Sequence, residues 1–138
     1  KEVIENYPIS ACTDITGFGL AGHAMEMAAS SKVTFEIDVN KVPYIDGALE
    51  MAKMGLVPAG TYNNKNYIEN DVYSENIQEY FIDALYDPQT SGGLLITLPE
   101  SKVENIMKDF TNKNMETKVA VIGKVIEKQE KSIILKNS

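Results

Sequence analysis

The sequence predicts one mixed α/β domain, with helices packed on a layered mixed β-sheet. Three observations predict it. Segments of helical and strand periodicity alternate along the chain; 138 residues at 43% hydrophobic content suffice for one core; and no repeat, low-complexity stretch or interdomain linker divides them, so residues 1–138 read as one unit.

Ile9 to Ile15 alternates loosely and predicts a short strand. TGFGLAGHAMEMAASS follows as a helix, with Thr16 as N-cap and Leu20, Ala24, Met27 and Ala28 on an apolar face. Val33 to Val39 alternates as a half-buried strand does. Pro43 and Tyr44 break the pattern before a helix from Ile45 or Asp46 to Met54. Its inward residues are Ala48, Leu49, Met51 and Ala52, and Gly55 stops it. Val57 to Asn66 is turn-rich and Tyr67 to Ser74 is ambiguous. Asn76 to Tyr86 has helical spacing through Ile77, Phe81 and Leu85. Leu94 to Leu98 suits a buried strand, and Pro99 opens a helix to about Asn112. Two strands close the chain, Lys118 to Glu127 and Ser132 to Leu135, joined by the charged turn EKQEK.

The composition narrows the function. Formal charge is −7, and all thirteen basic residues are lysines. Asn66 to Ser101 holds no basic residue but carries Glu69, Asp71, Glu75, Glu79, Asp83, Asp87 and Glu100. Without arginine the bidentate reading of phosphates and guanines is absent, which argues against nucleic-acid binding. No apolar run reaches the roughly 20 residues of a membrane span. The single cysteine, Cys12, forms no internal bridge and no secretory leader is evident, so a cytoplasmic setting is expected. The chain starts at Lys1 without methionine, which suggests a piece of a longer protein.

Two segments can carry chemistry. In TDITGFGLAGH, Asp14 stands where a strand meets a glycine-rich helix start. A carboxylate there supplies the hard oxygen that Mg²⁺ prefers, while exposed N–H groups attract phosphate. Gly17 and Gly19 permit close approach. Helix capping by Asp14 or Thr16 is the plainer alternative. Gly17, Gly19 and Gly22 also spell GxGxxG, with Asp38 at about the dinucleotide fingerprint distance; polar Thr13, Asp14 and Thr16 at the turn weigh against that reading. The second segment is DPQTSGG: Asp87, Pro88, Gln89, Thr90, Ser91, Gly92 and Gly93. It suits either a loop that wraps a ligand or closes on a neighbouring domain, or a satisfied turn.

Other residues fit structural roles. His23 has no partners for a zinc site and is expected to be a satisfied structural histidine. Cys12 is expected to be a small packed hydrophobe, and Tyr62, Tyr67, Tyr73 and Tyr80 show no stacking pattern. The acids from Glu69 to Asp87 suit a solvated helix face, or a module that recruits a basic partner.

ACTDITGFGLAGHAMEMA (Ala11–Ala28) and LYDPQTSGGLLI (Leu85–Ile96) together resemble the two signature segments of the C-terminal domain of selenophosphate synthetases, the selenide, water dikinases. That domain type is shared with aminoimidazole ribonucleotide synthetase, and another ATP-using enzyme of that superfamily is the alternative. The resemblance implies a homodimeric enzyme that uses ATP and Mg²⁺ to make selenophosphate from selenide, with AMP and phosphate released. It implies that ATP lies mainly on an N-terminal domain, absent here. Asp14 would join aspartates of that domain in holding Mg²⁺, supported by Thr13, Thr16 and Gly17, with Gly19 near the phosphates. DPQTSGG would lie at the domain junction. The family's reactive Cys or selenocysteine and essential lysine have no match here, so no residue of this chain is assigned as catalytic and the chain alone is expected to be inactive.

Overall fold

The computed structural model describes residues 2–89, 92–114 and 117–138. Its strands are β1 (Ala11–Asp14), β2 (Thr34–Asp38), β3 (Val72–Ser74), β4 (Leu94–Thr97), β5 (Gly123–Ile126) and β6 (Ile133–Lys136). Its helices are α1 (Gly19–Ser31), α2 (Ala48–Lys53), α3 (Ala59–Ile68), α4 (Glu79–Leu85) and α5 (Val103–Asn112). A four-stranded mixed sheet has the order β3-β6-β2-β5, and β1 and β4 form a separate antiparallel pair. Helices on a mixed sheet are the architecture the sequence predicts.

β2 is the centre of the larger sheet. It runs parallel to β6, with Phe35 opposite Ile133, and antiparallel to β5, with Phe35 opposite Val125. The final two strands therefore flank β2 from opposite sides. The turn between them crosses the start of β2. There the buried Thr34 hydroxyl donates to the Lys131 carbonyl and accepts the Gln129 N–H, both at 2.8 Å. The first of these two strands is shorter than expected: Lys118 to Val121 precede it outside the strand, and Ile122 meets β2 through one bond, its carbonyl accepting the Asp38 N–H at 2.8 Å.

α1 lies against this sheet through small residues. Ala21, Ala24 and Ala28 are buried at three- and four-residue spacing and let the helix approach Phe35, Ile37, Ile133 and Leu135 closely. Its end is set by Lys32, at φ 58°. The Lys32 N–H reaches the Ala29 carbonyl and the Val33 N–H the Ala28 carbonyl, the two bonds of a Schellman motif.

Several expectations need correction. The turn-rich segment after Val57 is largely helical: Pro58 sits at the N-cap of α3, and Thr61, Asn64 and Ile68 form its buried face. Tertiary packing overrides the weak propensity of Gly, Thr and Asn. Thr16 does not cap α1, whose N-cap is Phe18 with no side-chain bond. The second expected helix is confined to α2, with Met51 51% exposed, although Gly55 does stop it at φ 77°. The next runs only over α4. Pro99 opens a single 3-10 turn, Glu100–Lys102, before α5. The LLITL run is not a buried strand: among the described residues β4 pairs with β1 alone, and Leu94 is half exposed.

Candidate functional site

The residues that can carry chemistry meet where β1 leaves its ladder. β1 and β4 pair from Ala11 with Thr97 to Asp14 with Leu94. The alternation of the strand leaves Cys12 and Asp14 exposed on one side, with Ala11 and Thr13 half-buried on the other. After Asp14 the chain turns inward at buried Ile15, then outward through Thr16 and Gly17 to α1. Gly19 opens the helix at φ 72°, and a Cβ there would lie 2.8 to 3.0 Å from the backbone of Leu85, Tyr86 and Asp87. Only glycine fits that conformation and that approach.

The second segment is laced along the first. The Ile15 N–H donates to the Gly93 carbonyl at 2.9 Å, extending the ladder by one bond past Asp14. The Gln89 N–H donates to the Thr16 carbonyl at 3.0 Å. A Cβ on Gly92 would stand 2.3 Å from the Ile15 carbonyl oxygen, so this position also excludes a side chain. Asp87 is half-buried and its carboxylate accepts a 2.8 Å bond from Gln89 Nε2. Burial raises its pKa, opposed by that bond. Pro88 rests on Gly60 of α3, within 3.0 Å of where a Cβ would lie. Thr90 and Ser91 lie outside the described residues.

α3 carries the residue that composition hides. Asn64 is 8% exposed, and its Nδ2 donates to the Gly17 and Tyr86 carbonyls at 2.9 Å each. One amide therefore joins the two signature segments. The signal for it was only the spacing Gly60, Asn64, Tyr67, which places all three on one helical face. Tyr67 completes that face by stacking on Phe18, at 5.8 Å between centroids and 10° between planes. So one of the four tyrosines does stack. His23 is satisfied as expected, with Nε2 2.9 Å from Thr16 Oγ1 and Nδ1 3.9 Å from Glu26.

The donor set at this corner is one exposed carboxylate with Thr13 and Thr16 oxygens nearby in sequence. Among the described residues no three His, Cys, Asp or Glu side chains converge as a metal site. The described residues therefore make no complete metal site of their own around Asp14. Its capping role falls away with the Phe18 N-cap.

Other expectations resolve by topology. Cys12 is exposed and not packed, because its strand belongs to a two-stranded sheet with one open face. Although the residue is exposed overall, the partial enclosure of its thiol raises the pKa, and the Asp14 charge raises it further. The dinucleotide reading fails. A Rossmann first strand lies parallel beside the second, whereas β1 is antiparallel to β4 and in a different sheet from β2. Asp38 is also engaged, accepting bonds from the Ser138 hydroxyl and, at 3.0 Å, the Asn40 N–H. Nor are the acids of α4 only a solvated face. Asp83 is buried against the Lys65 ammonium, which also donates to Glu79 at 2.5 Å.

A family model described as "AIR synthase related protein, C-terminal domain" matches residues 1–136. The chain belongs to this family. Within it the chain is 47% identical, over 136 residues, to a selenide, water dikinase of Caldanaerobacter subterraneus subsp. tengcongensis, covering 99% of this chain and 39% of that relative. It is 50% identical over 131 residues to the selenide, water dikinase of Clostridioides difficile, covering 94% and 37%. It is 44% identical over 134 residues to selenide, water dikinase 2 of Peptoclostridium acidaminophilum, covering 97% and 38%. This member of the AIR synthase C-terminal family thus spans less than two fifths of the length of these relatives. Among the described residues, no helix is long and apolar enough to cross a membrane.

Proposed function

We propose that this chain is the C-terminal domain of an ATP-dependent selenide, water dikinase, which forms selenophosphate, AMP and phosphate from selenide, ATP and water. Its contribution is a carboxylate, Asp14, that shares Mg²⁺ with acidic residues of an N-terminal domain. The observation that carries the reading is the lacing of ITGFG to DPQTSGG directly behind Asp14. That lacing would hold one hard-oxygen ligand at an exposed corner. The high identity to selenide, water dikinases supports the selenium chemistry over that of other family members.

When bound, Mg²⁺ would neutralise phosphate charge during phosphoryl transfer. This chain's own part is positioning. The β1–β4 ladder fixes the Asp14 backbone, and the Thr16–His23 bond holds the turn that follows. Gln89, Gly92 and Gly93 brace the turn through their contacts with Ile15 and Thr16, and the DPQTSGG loop would face the domain junction. The setting would be cytoplasmic and the whole enzyme a homodimer.

The test is Mg²⁺-dependent ATP turnover with selenide by the full-length enzyme, wild type against Asp14→Asn, once both are shown to fold. A metal-sharing carboxylate predicts a loss of about a hundredfold at low Mg²⁺, partly recovered at high Mg²⁺. Unchanged turnover at every Mg²⁺ concentration would reduce the domain to a scaffold.

A further inference from the structure

We infer that Asn64 is a positioning residue for the metal-holding corner, acting through the backbone of both signature segments; this rests on the role proposed for Asp14. Its amide is buried and in contact with both segments at once. Gly17 O belongs to the turn three residues past Asp14, and Tyr86 O immediately precedes Asp87. Neither strand ladder nor helix supplies these carbonyls with their Asn64 bond, so the bond substitutes for regular structure at the junction.

The rest of the α3 face strengthens this. Gly60 sits one turn before Asn64 and accepts Pro88 at contact distance. Tyr67, three residues after it, stacks on Phe18, the N-cap residue of α1. Spacing of four and three puts all three contacts on one stripe of one helix. α3 therefore grips both segments, and Asn64 holds the centre of the grip. Because its two hydrogens go to two different segments, their loss removes the side-chain tie between the turn after Asp14 and the end of α4, leaving the backbone bonds of Ile15 and Gln89 to hold the turn alone. A carboxylate held loosely coordinates less well than one held in place, which is why groups behind metal ligands commonly change affinity by roughly 10–100-fold.

Asn64→Asp keeps the shape and removes both donors, turning a carboxylate toward two carbonyl oxygens. In the full-length enzyme the expected result is a rise of about tenfold in the Mg²⁺ concentration for half-maximal turnover, with kcat at saturating Mg²⁺ within about threefold of wild type. Asn64→Ser, with one donor, falls between. The double variant Asp14→Asn/Asn64→Asp requires no more Mg²⁺ than Asp14→Asn alone, because both changes act on one ligand. A merely structural Asn64 would instead lower kcat and Tm without moving the Mg²⁺ requirement, or would add its effect to that of Asp14→Asn; either result overturns the inference. Should Asn64→Asp fail to fold, Asn64→Ser carries the same comparison. If Asp14→Asn shifts the Mg²⁺ requirement and folded Asn64 variants do not, positioning alone fails. If Asp14→Asn leaves it unmoved, the metal role and the positioning fall together.

Discussion

At the scale of residues, Asp14 and Cys12 report on each other, since both project from the exposed side of β1 two positions apart. Burial raises the Cys12 thiol pKa first and the Asp14 charge raises it further. Only the thiolate reacts with iodoacetamide, so a raised pKa means less of it at a given pH. Alkylation of Cys12 is therefore expected to follow a pH profile with its midpoint above the roughly 8.5 of a free thiol. Asp14→Asn should move that midpoint down, and mass spectrometry of the timed reaction measures both. Identical profiles in the two proteins would show that the Asp14 charge does not reach the thiol. Gly92 makes a second residue-scale test. Its missing Cβ is replaced in space by the Ile15 carbonyl oxygen at 2.3 Å, a backbone atom that cannot swing away. Gly92→Ala should cost about 1–3 kcal/mol in chemical denaturation, the usual range for overpacking. A Tm equal to wild type would mean that the loop shifts without cost.

At the scale of elements, what the sequence disclosed depends on how local the cause was. β2 and α1 are legible because alternation and three-four spacing state their buried faces directly, and Gly55 is legible as a stop because a positive φ favours it. α3 is not, since Pro58, Gly60, Asn63 and Asn64 imitate a turn and the helix exists for the partners of its buried face. Of the site, Asp14 and the loop from Asp87 to Gly93 were visible as motifs, whereas Asn64 was visible only once Gly17 and Tyr86 were neighbours. Lys65 was hidden for the same reason. Its partner Asp83 lies eighteen positions on, in α4. Burial acts to lower the Lys65 pKa, but bonds to Asp83 and Glu79 outweigh it and hold the value above the ordinary one. Removing the ammonium would leave a buried carboxylate unpaired. Lys65→Met is expected to cost about 2–3 kcal/mol, less than a fully enclosed pair because Glu79 is exposed, and Asp83→Leu in the same chain should recover much of it. The pair's contribution to stability, set by a raised Lys pKa, is present below about pH 10.4 and fades as pH rises through the higher folded value. Denaturation midpoints at pH 8 and pH 11 test the sign: Lys65→Met should be closer to wild type at the higher pH.

At the scale of the whole molecule, the division into two sheets has a functional consequence. The four-stranded sheet carries the core with α1, while β1 and β4 project the candidate ligand at the exposed end of a two-stranded ribbon. A ribbon of that size is marginal alone and is held here by α1, α3 and the backbone bonds around Ile15. Such a corner is firm enough to present one oxygen ligand, yet Mg²⁺ requires near-octahedral coordination and phosphoryl transfer requires several cationic or metal-held contacts. The chain has no arginine with which to clamp a triphosphate, and among the described residues no three His, Cys, Asp or Glu side chains converge as a metal cluster. The 138-residue chain by itself is therefore expected to show only background release of AMP or phosphate from ATP with Mg²⁺ and selenide. Following both products over time, beside the full-length enzyme at equal concentration, gives the comparison. Selenide-dependent turnover by the chain alone would require the remaining metal ligands to come from residues 1–138, and the shared-metal reading of Asp14 would have to be abandoned.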